Sequence, residues 1–210
     1  IALVPDATSQ SVDAAASAPL VDAATLPPPL YDANVKTFCQ IPGSVRFDGV
    51  VKETVPGAKG LPDLGWVELP AGFCVHYFGL VPNARSLRFA PGGELFVTSP
   101  VRGTTGGGAG GRASIVVLPD DNGDGLADSS GAFATGLSGT QGLLFANGSF
   151  YWQEDARVMK VAYAPGERVL AKPKVLVADL GGRFQSGGHW PKSLDVADDG
   201  TIYLSNGADQ

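Results

Sequence analysis

The sequence predicts an all-β fold, about three blades of a β-propeller behind an extended N-terminal arm, and three observations lead there. One phrase recurs: SLRFAPGGELFVTS at 86–99, GLLFANGSFYWQ at 142–153 and SLDVADDGTIYLSN at 193–206. Each copy joins an alternating apolar run to a second apolar or aromatic run through a tight Gly-containing turn, the pattern of a β-hairpin. Leu87, Leu143 and Leu194 head the copies at spacings of 56 and 51 residues, too long for a simple meander and suited to one four-stranded blade per repeat. The composition agrees, since 44% hydrophobic residues furnish a core and 29 Gly with 16 Pro furnish turns rather than helices. Propellers typically close with about four to eight blades. Three blades leave open edges, so the ring is expected to be completed by another polypeptide or by the remainder of a cleaved precursor.

Along the chain, residues 1–34 are built from Ala, Ser, Asp, Pro and Val, with Pro27, Pro28 and Pro29 in a row and no Lys or Arg before Lys36. Such a stretch reads as an extended tether or surface-hugging arm. The start at Ile1 rather than Met suggests a removed leader and an exported protein, in the periplasm, outside the cell or tethered to its surface. Residues 35–66 carry turns at Pro42-Gly43 and Pro56-Gly57 without a period and read as irregular wrapping structure. The partial propeller runs over residues 67–210. Its first segment, VELPAGFCVHYFGL, alternates as a strand interrupted by Pro70-Ala71-Gly72 and is placed to complete the last blade of a ring.

Charge narrows the partners. A net charge of −6 without a Lys/Arg stripe argues against a nucleic-acid backbone, which needs cations to displace its counterions. A run of about eighteen apolar residues, the length that marks a membrane-spanning helix, does not occur. The run GTTGGGAGG at 103–111 reads as a surface loop rather than a phosphate cradle, because the Lys-Ser/Thr of a P-loop does not follow it.

Several residues are candidates for chemistry. Cys39 and Cys74 are the only cysteines, too few for a zinc cluster and too far apart for a redox pair. A disulfide is the preferred reading, beside two free thiols or a bond to a partner. Asp120, Asn122, Asp124 and Asp128 lie in DDNGDGLAD, with Gly125 where an oxygen-rich calcium loop needs its sharp turn. The loop departs from an EF-hand at its last ligand position, where Gly131 stands instead of Glu. The competing reading is an acidic hairpin tip held by Asp and Asn side-chain turns. Asn147-Gly148-Ser149 matches a glycosylation acceptor, yet it falls on a two-residue hairpin turn where Asn-Gly is favoured for its positive φ angles. His76, in the apolar segment CVHYF, reads as a structural group. His189 follows GGRFQSGG and precedes the third hairpin. Loops entering inner strands open onto one end of a propeller, and a histidine there is suited to act as a general base.

These residues add up to a family likeness. TQGLLFANGSFYWQEDARVMKVAYAPGE, followed by VLVADLGGRFQSGGHWPKSLDVADDGTIYLSNGADQ, resembles the soluble quinoprotein sugar dehydrogenases and their sorbosone dehydrogenase relatives. LPAGFCVHYFGLVPNARSLRFAPGGELFVTS resembles the family's opening blade. The likeness covers about residues 67–210 and is sharpest from Gln141 onward. It implies a six-bladed propeller, of which this chain is the N-terminal half, and oxidation of a sugar with pyrroloquinoline quinone, PQQ. Carried over by position, His189 matches the base that takes the hydroxyl proton while hydride passes to the quinone. Gln141 matches a glutamine at the cofactor and sugar pocket, with a spacing to Gly-Leu-Leu shorter by one residue. The sequence departs from the glucose-oxidising pattern at Gly188, where those members place an Asp that orients the base. The family's groups for the quinone carboxylates and for its catalytic calcium come from later blades, and DDNGDGLAD occupies a different loop. The resemblance therefore implies a sugar or sugar-aldehyde dehydrogenase; the competing classes are a non-catalytic binding propeller and an extracellular assembly module.

Overall fold

Short antiparallel strands carry almost all of the regular structure. The computed structural model describes residues 2–3, 38–100, 114–137, 139–181 and 193–205. In chain order these hold β1 (Ala2–Leu3), a 3-10 turn at Phe38–Gln40, β2 (Val45–Phe47), β3 (Lys52–Thr54), β4 (Phe73–Val75), β5 (Leu87–Phe89), β6 (Leu95–Ser99) and β7 (Ser114–Leu118). They continue with β8 (Gly131–Ala134), β9 (Gln141–Ala146), β10 (Ser149–Glu154), β11 (Arg157–Ala162), β12 (Val175–Asp179), β13 (Leu194–Val196) and β14 (Ile202–Leu204). The all-β class expected from the sequence is the class observed. The chain divides into two units, one of residues 1–4, 78–122 and 126–210 and the other of residues 5–77 with 123–125.

The larger unit contains three sheets, each built on one of the three recurring hairpins. Sheet I has the strand order β5-β6-β7-β8, sheet II the order β9-β10-β11-β12, and sheet III the order β13-β14-β1. The first strand of each hairpin, β5, β9 or β13, forms one edge of its sheet. Consecutive sheets meet there, because β9 lies against β5 and β6 while β13 lies against β9 and β10. Ala2 and Leu3, at the head of the stretch expected to be a tether, pair with Tyr203 and Ile202 along the far edge of sheet III. The rest of that stretch, to residue 34, lies outside the described residues.

Alternation decides how the sheets stack. On sheet I, Phe96, Ile115, Val117 and Phe133 point to the side of sheet II, where they join Leu143, Phe150, Trp152, Met159, Val161 and Tyr163 in one buried cluster. Four rings pack edge-on around Phe96, the closest pair being with Phe133 and Phe145 at centroid separations of 5.1 Å, an arrangement that aligns ring edges with ring faces. Residues of opposite parity on sheet II, Leu144, Tyr151 and Val158, pack instead on Leu194, Ile202 and Leu204 of sheet III. Strands β9 and β10 of sheet II are thus covered on both faces, which explains the nearly continuous apolar reading of LLF and FYWQ in them. The outward face of sheet I is covered unevenly. Leu95, Val97, Val116 and Leu118 are buried beneath Phe78, Val81 and Ala127, whereas Leu87 and Phe89 remain 61% and 56% exposed.

In the smaller unit, β2 pairs with β3 and with β4 in the order β3-β2-β4. The stretch 35–66, expected to be irregular, therefore holds a short hairpin. Asp48 closes its turn by accepting backbone N–H bonds from Val50 and Val51 at 2.8 and 2.7 Å, and Arg46 faces Glu53 across the strands at 2.6 Å. Only Phe73–Val75 of the segment VELPAGFCVHYFGL is a strand, and it pairs with Val45–Phe47. The bridge Cys39–Cys74 joins the 3-10 turn to β4 with a Cα separation of 5.4 Å.

Candidate functional site

Gln141 stands at the head of β9 and is 3% exposed, beside the fully buried Thr140. Its orientation is set by a β-bulge. Leu143 lies opposite Trp152, but Gln141 lies opposite Gln153, leaving Gly142 as an extra residue on β9. Trp152 and Gln153 are neighbours on a strand and so point to opposite faces. Gln141 and Leu143, two apart in sequence, consequently also point to opposite faces. In a regular strand Gln141 would look toward sheet I with Leu143; the bulge turns it to the face of Leu144 and Tyr151, the face that receives sheet III. Gly142 takes φ +39°, in the left-handed region that glycine enters without a Cβ penalty.

His189 lies outside the described residues, as does GTTGGGAGG at 103–111. Ser193, just ahead of β13, receives a hydrogen bond on its carbonyl from Ser205 N at 3.0 Å and donates its own N–H to Ser205 Oγ at 2.8 Å. These bonds fasten the entry to β13 onto β14.

Asp128, in the candidate calcium loop, uses its carboxylate locally. Its Oδ2 accepts from the backbone N–H of Asp121 at 2.6 Å and its Oδ1 from Asn122 Nδ2 at 2.9 Å. This is the geometry of an acidic tip braced by its own side chains. Asp120 is half-buried and Asp124 exposed. Among the described residues no group of three or more His, Cys, Asp or Glu side chains is gathered closely enough to hold a metal ion. Asn147 and Gly148 form the β9–β10 turn with φ +50° and +66°, both positive as a two-residue hairpin turn of this sequence requires. His76 is half-buried just past β4, in the smaller unit.

Two features escaped the sequence reading. Arg88, the polar residue between Leu87 and Phe89, reaches two neighbouring sheets: Nε donates to the carbonyl of Leu143 and Nη2 to that of Leu194, each at 3.3 Å. A polar residue inside an otherwise apolar inner strand was the signal available for it. The second is a charged cluster beside the β5–β6 turn, around Glu94. The carboxylate of Glu94, 4% exposed, lies 3.5 Å from Arg168 Nε, and Arg168 also forms an ion pair with Asp121. Arg168 holds the Asp121 carboxyl below its ordinary range, chiefly through the side-chain hydrogen bond. A cleft of about 220 Å³ beside this cluster is lined by Phe133, Val161, Leu170, Glu167, Arg168 and Lys172 among others. Its cations are already engaged, Lys172 with Glu167 and Arg168 with Asp121.

These features define an all-β chain of stacked antiparallel meanders, with a buried carboxamide at the head of β9 on the face that receives sheet III. Residues 66–210 match a family described as a domain of unknown function (DUF7133), and the chain belongs to that family. No curated protein and no solved structure matches the chain.

Proposed function

We propose that the chain is the N-terminal half of an exported six-bladed propeller that oxidises a sugar or sugar aldehyde with PQQ as the hydride acceptor. The observation that carries this reading is the Gly142 bulge, which turns Gln141 toward the face that receives β13. His189 precedes the first residue of β13 by only five positions and Gln141 is the first residue of β9, and β9 lies against β13. The stacking of three hairpin-based sheets along β5, β9 and β13 supports the propeller. The uncovered Leu87 and Phe89 supply the face on which a further blade would pack, whether from this polypeptide or another. The disulfide suits an oxidising, exported compartment.

Of the described residues, the buried Gln141 offers a carboxamide that both donates and accepts, while the resemblance puts the groups for the quinone carboxylates on later blades. PQQ, when bound, supplies the two-electron acceptor, which no side chain can. His189 takes the proton of the hydroxyl on the carbon being oxidised, a task suited to an imidazole with an ordinary pKa of about 6.5. Gln141 orients the sugar or the cofactor from a fixed, buried position. Gly188, standing where glucose-oxidising relatives of the resemblance have Asp, favours the second reading, a propeller that binds a sugar or a surface without oxidising it.

The two separate in one experiment on the complete protein supplied with PQQ and calcium. The enzyme reading expects turnover of an aldose or sugar aldehyde, and a fall in kcat of about 10²–10⁴-fold on His189→Ala. Saturable sugar binding without turnover, or turnover unchanged by His189→Ala, rejects the assignment of His189 as base.

A further inference from the structure

Arg88 occupies the centre of β5 and alternates with Leu87 and Phe89, so its side chain leaves the opposite face of the strand and heads toward sheets II and III. Its two acceptors, 55 and 106 residues away in sequence, are main-chain carbonyls on different sheets. Both carbonyls belong to strands at the edge of their sheets, β9 and β13, where strand pairing is missing on one side and backbone groups need another partner. A planar guanidinium fork can engage two such acceptors at once, and its charge strengthens both bonds. A lysine ammonium lacks the fixed fork.

We infer that Arg88 is a positioning residue of the candidate site: it ties the edge strands β9 and β13 together through Leu143 and Leu194 and so fixes Gln141, at the head of β9, relative to β13. Leu143 follows Gln141 by two residues, immediately past the bulge, and Leu194 follows His189 by five. The functional part of this inference rests on the proposed roles of Gln141 and His189. The clamp between the strands stands on its own hydrogen bonds.

Amide hydrogen exchange on the full 210-residue chain tests the clamp without reference to activity. Arg88→Met is expected to lower protection by about tenfold or more in residues 142–145 and 194–196, leaving β7 and β11 unchanged. Arg88→Lys is expected to fall between. Unchanged protection in both edge strands of Arg88→Met, or an equal loss in β7 and β11, overturns the inference. If Arg88→Met does not fold, Arg88→Lys decides: selective loss at β9 and β13 supports the clamp, and protection equal to wild type removes it. In the complete protein loaded with PQQ and calcium, Arg88→Lys should lower kcat by about tenfold with KM for the sugar within about twofold. An unchanged kcat overturns the positioning role. A protein that takes up no quinone refutes the functional proposal and leaves the exchange result to judge the clamp.

Discussion

Tyr163 shows how a single residue reports its surroundings. It is 7% exposed, and burial, followed by the nearby Glu94 charge, pushes its phenol up from 10.0 to about 12. Ionising it in the folded chain would place a second negative charge beside a buried carboxylate. The unfolded chain loses this proton first, so stability declines as pH rises between about 10 and 12. Denaturant midpoints measured across that window should fall more steeply in wild type than in Tyr163→Phe, and equal slopes would contradict the burial argument. At this scale the sequence disclosed identities better than directions. Gln141 was singled out through the resemblance, but its facing depends on the Gly142 bulge, and a bulge is a property of pairing with β10 rather than of β9 alone. Arg88 was hidden for the same reason, because its partners are carbonyls, which every residue possesses.

Among the elements, hairpins were the most readable because their signals are local. Asn147-Gly148 fixes the register of β9 and β10 through two positive φ angles, and alternation on either side assigns the faces. Gly148→Val places a β-branched side chain at φ +66°, which should cost about 1–2 kcal/mol; chemical denaturation measures it, and a loss below about 0.3 kcal/mol would mean that the turn relaxes freely. The short strands β2 and β3 were not readable. All three residues of β3 are exposed, so no apolar period marks it, and its stability comes from the Asp48 turn and from pairing with β2. The segment holding β4 carried a strand signal, but β4's choice of β2 as partner is non-local. Periodicity gives a strand its faces and leaves its partner open.

For the whole molecule, the three sheets of the larger unit were legible from the three repeats, since each hairpin phrase seeds one sheet, whereas the fourth sheet, β3-β2-β4, carries no repeat. The stacking of the larger unit's sheets follows from apolar residues on both faces of sheet II. The closure of the smaller unit depends on the Cys39–Cys74 bridge, whose two ends are 35 residues apart. Constraining a loop of that length in the unfolded chain contributes about 3–4 kcal/mol. Cys39→Ser/Cys74→Ser should therefore lower the unfolding free energy by about that amount, seen as a lower denaturant midpoint; an unchanged midpoint would show that the surrounding strands suffice. The uneven cover on sheet I, with Leu87 and Phe89 open, is the whole-molecule counterpart of the proposal that further blades complete a ring. The measurement that bears most directly on the central claim is native mass spectrometry of the protein as purified from its source, with PQQ and calcium added. A quinoprotein half completed by further blades gives a species in which residues 1–210 are joined to those blades and one quinone is retained, released when His189 and Gln141 are both replaced by Ala. A protein that retains no quinone while calcium is present would contradict that claim.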